Sequence, residues 1–181
     1  VELDHDDELV KHALEELHLV SLLFPQAGFF YSDCAEIDAD RNSLVYGETY
    51  CFGYGTYYDK EYEGKIYRVG KTPEINRLTM QHIAGVPNHL RVWRRLFYLR
   101  IGGHNRTVQI ADDYELIVRT FLNTQMIHIP DMLYFQHYHQ SNTQHARREE
   151  ILAMVRDIYS FYEKAIMARF DAIAESDLLQ D

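Results

Sequence analysis

Apolar residues at Tyr114, Ile117, Val118, Phe121 and Leu122 fall at i, i+3, i+4, i+7 and i+8, the stripe of an amphipathic helix packed on a core. That pattern predicts a helix starting near Asp112. Upstream, Val10, Ala13, Leu14, Leu17, Val20 and Phe24 give a second helix its core face, and Pro25 closes it because proline cannot continue the ladder. Val1 to Leu3 reads as the end of a buried strand, Asp4-His5-Asp6-Asp7-Glu8 as an acidic turn, and Gly28 to Ser32 as an aromatic strand ending at Asp33. Strand, turn, helix and strand in that order predict a β-α-β unit, in which ligands collect at the carboxyl ends of strands.

Between Val45 and Gly70 the pattern shifts to tyrosine, glycine and alternating polar residues, predicting one or two hairpins with turns near Gly53 to Gly55 and at Glu63-Gly64. The tyrosines there suit a half-exposed aromatic sheet face or a sugar-stacking surface. Pro73, Gly85 and Pro87 mark a winding segment with a short strand or helix around Arg77 to Ile83. A helix carrying Leu90, Trp93, Leu96 and Phe97 inward follows. After the central helix come a strand Met126 to Ile129 stopped by Pro130, a strand Leu133 to His139, a polar loop Gln140 to Gln144, and a long helix from Ala146 to about Ala174 with a frayed acidic tail. No internal repeat or low-complexity segment interrupts this order.

Composition narrows the picture. A length of 181 residues fits one domain with a substantial core, and 46% apolar content argues against disorder. A net charge of −10 speaks against a duplex nucleic-acid partner and against adhesion to anionic lipid, and is compatible with a divalent cation. Cys34 and Cys51 make no disulfide framework, which points to reduced thiols in the cytoplasm. There is neither a membrane-spanning apolar run nor a leader-like start. The chain opens on Val1 rather than Met, in strand-like sequence, so a longer protein represented only in part is expected.

Three groups of residues carry candidate chemistry. With Asp112 as N-cap and Glu115 as its reciprocal partner, Asp113 is left without a capping duty. Held at a helix start after the pair Gly102-Gly103, it is a candidate general base; the alternative is that all three acids complement the positive helix end. Arg91, Arg94 and Arg95 suit either phosphate or surface carboxylates. Strand alternation puts Phe135, His137 and His139 on one face, where two imidazoles can reach one cation.

The order LDHDDEL, YSDCAEID, PNHLRVWRRLFYLRIGGHNRTVQIADDYELIVRTFL and HIPDMLYFQHYHQSNTQ resembles the family 2 glycosyltransferases of the GT-A fold, from Val1 to about Gln144. The resemblance implies an α/β fold with a mixed sheet flanked by helices. It implies a single partial domain over 1–181: a catalytic-core portion 1–145 with the excursion 45–70, and a C-terminal helix 146–181. It implies an inverting transfer of a sugar from a nucleotide-diphosphate donor to the hydroxyl of a saccharide, lipid-linked or protein acceptor, dependent on Mn²⁺ or Mg²⁺.

Matched to the family's motifs, Asp4 and Asp6, with Asp7 adjacent, bind metal and diphosphate; Asp113 is the base, with Asp112 beside it; and His139 reaches the metal or diphosphate. Trp93, Arg94, Gly102 and Gly103 fall with Asp4 and Asp112 in the implied substrate-binding set. His137 stands where the family often has Arg, which removes an implied phosphate contact.

In the family, units gripping the base and ribose precede these acids. The sequence here starts at the metal site, so this chain alone is expected to hold metal weakly and to transfer little. The uncovered sheet edge is expected to favour association with another copy. In the full-length protein, attachment at the membrane periphery fits the resemblance. The alternative function is a non-catalytic interaction module that retains the fold.

Overall fold

The computed structural model describes residues 1–46, 49–50, 53, 55–138 and 147–178, with the backbone alone for 49–50 and 177–178. In chain order the elements are β1 (Glu8–Leu9), α1 (Ala13–Leu23), β2 (Phe29–Ile37), β3 (Thr49–Tyr50), β4 (Gly55–Tyr62), β5 (Lys65–Lys71), β6 (Arg91–Trp93), α2 (Arg95–Arg100), α3 (Asp112–Asn123), β7 (Met126–His137) and α4 (Arg148–Leu178). The seven strands form one mixed sheet in the order β1-β7-β2-β5-β4-β3, with β6 also paired to β2.

The centre is β2, a nearly continuous buried run of the kind that both faces of a covered sheet require. It pairs parallel with β7 along its whole length. Along its other edge it pairs antiparallel with β6 at Phe29 to Tyr31 and with β5 at Cys34. One sheet face carries α1 through Val10, Ala13, Phe30 and Leu133. Phe29 and Tyr31, one pleat out of phase, meet α3 and α4 through Tyr114, Ile117, Phe121, Val155 and Ile158. The fold class is thus α/β, a mixed sheet flanked by helices.

Several local expectations change. Val1 and Leu3 are exposed, and among the described residues this segment makes a single bridge, Glu2 to Arg91, in place of a buried strand. The helix expected from Leu90 is instead strand β6 followed by the short α2, and Leu96 points outward. The register to β2 requires Trp93 to pair with Phe29, which an extended backbone alone allows. The two strands expected on either side of Pro130 are one strand, β7. Its register to β2 jumps between Ser32–Ile129 and Asp33–Met132, so Pro130 occupies an irregularity where no ladder donor is required. The Glu63-Gly64 turn joins β4 to β5 with φ of 51° and 77°, the left-handed pair that a tight hairpin demands. The segment around Arg77 to Ile83 forms two short 3-10 turns, Thr79–Gln81 and Ile83–Gly85.

Candidate metal and general-base site

The acidic turn closes on itself, with the Asp7 amide donating to the Asp4 carbonyl at 3.2 Å, and then feeds β1 onto the end of β7. This docking holds Asp7: one of its oxygens accepts the Tyr134 hydroxyl at 2.8 Å and the other the His137 amide at 2.7 Å. The Tyr134 oxygen in turn accepts the Asp4 amide at 3.2 Å. Burial pushes the Asp7 carboxyl up despite these two hydrogen bonds.

His89 is buried, stacks on the Tyr134 ring at 4.7 Å and brings Nε2 to 3.6 Å from Asp4 Oδ2. Its Nδ1 is enclosed and has no hydrogen-bond partner among the described residues. Burial, aided by the nearby Arg91 cation, pushes the imidazole down to about 3, so it is neutral at physiological pH and free to act as a Lewis base. Asp4, Asp7 and His89 each offer a ligand atom, all within 4.8 Å of one another, a grouping that could hold a small cation.

Two residues beyond His89, the buried Arg91 guanidinium donates from both terminal nitrogens to Asp113 Oδ2 at 3.2 Å. Its Nε donates to the carbonyls of Pro87 and Asn88, and Glu2 lies 3.6 Å from Nη1. Burial raises the Glu2 carboxyl although Arg91 and His104 oppose it. Asp113 Oδ1 accepts the Tyr114 amide at 2.8 Å. The residue before α3, Ala111, is held at φ +56°, a left-handed conformation that costs a non-glycine residue about 1–2 kcal/mol.

The expected capping box is corrected by the structure. The helix begins at Asp112, so the N-cap is Ala111 and no side chain caps it. Asp112 pairs with His104 Nδ1 at 2.9 Å. Glu115 is buried and forked onto Arg119, with the Tyr162 hydroxyl donating to it at 3.0 Å. Arg119 also holds the carbonyls of Ile101 and Gly103, fixing the glycine turn against α3.

Of the residues singled out by sequence, Asp4 and Asp113 arrive in one neighbourhood through His89 and Arg91. Asp6 faces His5 at 3.6 Å, and Asp7 takes the place in the cluster that the Asp-x-Asp spacing assigned to it. His139 lies outside the described residues. His137 contacts Glu8 through Nε2 at 2.9 Å and holds Asp7 through its amide. Gly102 and Gly103 have φ of 88° and 61°, and a Cβ on Gly103 would strike the Tyr98 ring.

Trp93 donates to Thr120 at 2.8 Å and packs on Phe29. The Arg94 guanidinium occupies the carbonyls of Ser21, Phe24 and Ala27 at the end of α1, by the opposite end of β2 from the cluster. Sequence reasoning misses His89 and Glu2, because their role depends on the β6–β2–β7 pairing. The signal available for His89 was its place two residues before Arg91 in a stretch already rich in chemistry. No protein-family model matches the chain, and a search of curated proteins returns no match.

Proposed function

We propose that this chain carries the cation and general-base site of an inverting glycosyltransferase of the GT-A type, acting on a nucleotide-diphosphate sugar. The observation that supports this reading most is the bridge built by His89 and Arg91: the first touches Asp4 of the acidic turn, the second Asp113 at the start of α3. One stretch of chain thereby sets the Asp4-Asp7-His89 cluster beside a positioned carboxylate, which suits the two groups that displacement of a phosphate leaving group requires.

The donor set suits Mn²⁺ or Mg²⁺, with carboxylate oxygens from Asp4 and Asp7. The neutral imidazole of His89 tilts the preference to Mn²⁺, since Mg²⁺ favours oxygen ligands. Such an ion, when bound, neutralises charge on the departing diphosphate. Asp113 accepts the proton of the attacking acceptor hydroxyl, a contribution of about 10²–10⁴-fold in rate. Arg91 holds the carboxylate in one orientation, and attack opposite the diphosphate inverts the anomeric carbon.

The test is run on the natural full-length protein: a panel of nucleotide sugars is incubated with Mn²⁺ and release of nucleoside diphosphate is followed. Release that Asp113→Asn abolishes, with Mn²⁺ binding retained, is the expected result. Absence of release from every donor overturns the transferase reading and leaves a non-catalytic module on the same fold.

A further inference from the structure

Helix α1 has leucines on both sides. Ala13, Leu17 and Val20 pack on the sheet, but Leu14, Leu19, Leu22 and Leu23 are 56%, 52%, 64% and 73% exposed. Leucines on the outward side of a helix whose inward side already packs call for a second layer, and no described residue covers them. The apolar surface continues onto α2, because Arg94 ties the start of α2 to the carbonyls of Ser21 and Phe24, and Leu96 and Leu99 beyond it are 80% and 58% exposed. Contiguous exposed surface of this kind marks an interaction site.

The charges around it identify the occupant. Glu15 sits exposed among the outward leucines near the start of α1, and Arg95 and Arg100 lie exposed beside its end. Among the described residues none of the three has an oppositely charged partner; Arg100 stacks only on Phe97. A net charge of −10 and an acid within the leucine face disfavour an anionic lipid surface.

We propose that this face is the interface between two copies of the chain, with the two α1 helices packed antiparallel about a two-fold axis. In a two-fold contact, if residue i meets j then j meets i. Antiparallel packing lays the beginning of one α1 against the end of the other, so Glu15 of each copy faces the partner's Arg95 and the partner's Arg100. The leucines of both helices fill the middle. This surface lies on the α1 side of the sheet and is separate from the sheet edge that the sequence suggested for association.

The test needs no knowledge of activity. Sedimentation equilibrium of the natural full-length protein is expected to give a dimer whose population grows with concentration. Glu15→Lys alone and the pair Arg95→Glu with Arg100→Glu alone are each expected to be monomeric, since both create like-charge contacts. Mixing the two variants restores opposite charges at both ends and is expected to return a heterodimer. Circular dichroism of each variant checks that the fold is kept. A wild-type monomer at every concentration, charge variants that dimerise as well as wild type, or a mixture that stays monomeric overturns the proposal. Cosedimentation of the monomer with vesicles of anionic lipid would assign the face to a membrane and overturn it as well.

Discussion

Arg91 reaches a single oxygen of Asp113 with both terminal nitrogens at 3.2 Å, while its Nε stays on the carbonyls of Pro87 and Asn88. The guanidinium is therefore anchored at one end by backbone and at the other holds a carboxylate, which makes it a positioning residue for the proposed base. Lysine keeps the charge but loses the fork. Arg91→Lys should lower kcat for diphosphate release by on the order of 10²-fold, the scale of a displacement of about 1 Å, with KM for the donor little changed. A matching rise in KM instead would place Arg91 on the donor.

The proposed cation site makes a sharper demand, because the hydrogen bonds around the Asp4-Asp7-His89 cluster are as specific as the cluster itself. The Tyr134 hydroxyl donates to the Asp7 carboxylate and accepts the Asp4 backbone amide, so it holds the acidic turn at both residues. Tyr134→Phe should weaken Mn²⁺ binding by on the order of 10–100-fold in calorimetric titration. Asp6→Asn, a change outside the cluster, should leave the affinity within about twofold, well below the loss that outer-shell partners bring. Equal losses from both variants would mean that the Asp-x-Asp spacing, and not the Asp4-Asp7-His89 geometry, describes the site.

Local periodicity revealed the helices and hairpin because each depends on residues close in sequence. The stripe from Tyr114 to Leu122 and the left-handed turn at Glu63-Gly64 stood in the chain itself. What stayed hidden depends on pairing across long separations. Leu90 to Phe97 has helical spacing, yet the edge of β2 takes Arg91–Trp93 as a strand and leaves only the last part helical. The same pairing brings His89 over Tyr134, a residue 45 positions later by its number, and no local pattern announces that contact. Glu115 looked like a capping partner at N3; burial next to Arg119 and Tyr162 gave it a different role.

That buried fork gives a stability prediction independent of function. Glu115 accepts two charge-assisted hydrogen bonds from Arg119 at 2.7 and 2.6 Å, and Arg119 also binds the carbonyls of Ile101 and Gly103. Glu115→Ala strands a largely buried guanidinium and the Tyr162 hydroxyl. Loss of one partner of a buried pair costs about 3–5 kcal/mol, and the low end applies because the two carbonyls remain. Urea unfolding should report a loss near about 3 kcal/mol. A loss below about 1 kcal/mol, the value of a surface pair, would mean that the pair is solvated.

The neutral state of His89 has a pH signature that chelated protein should display. In the unfolded chain the imidazole titrates near 6.5; in the fold, burial and then the Arg91 charge push it down to about 3. Between these two values the unfolded state binds the extra proton, so folding stability rises with pH across this window and falls as pH drops through it. The slope from one such group is at most about 1.4 kcal/mol per pH unit. Glu2, Asp7 and Glu36 act with the opposite sign, because burial raises each carboxyl and makes its ionised form the costly one above the unfolded value. The total pH profile therefore mixes two trends, and the imidazole is isolated by difference. His89→Asn keeps a polar side chain of smaller size and has no proton to gain. Urea titrations of both proteins at pH 4.5 and 6.5, with chelator present, should show wild type losing more stability on acidification than the variant does. Equal losses would mean that His89 is solvated, and a solvated imidazole would lose the lowered proton affinity that keeps it neutral beside Asp4 in the proposed cation site.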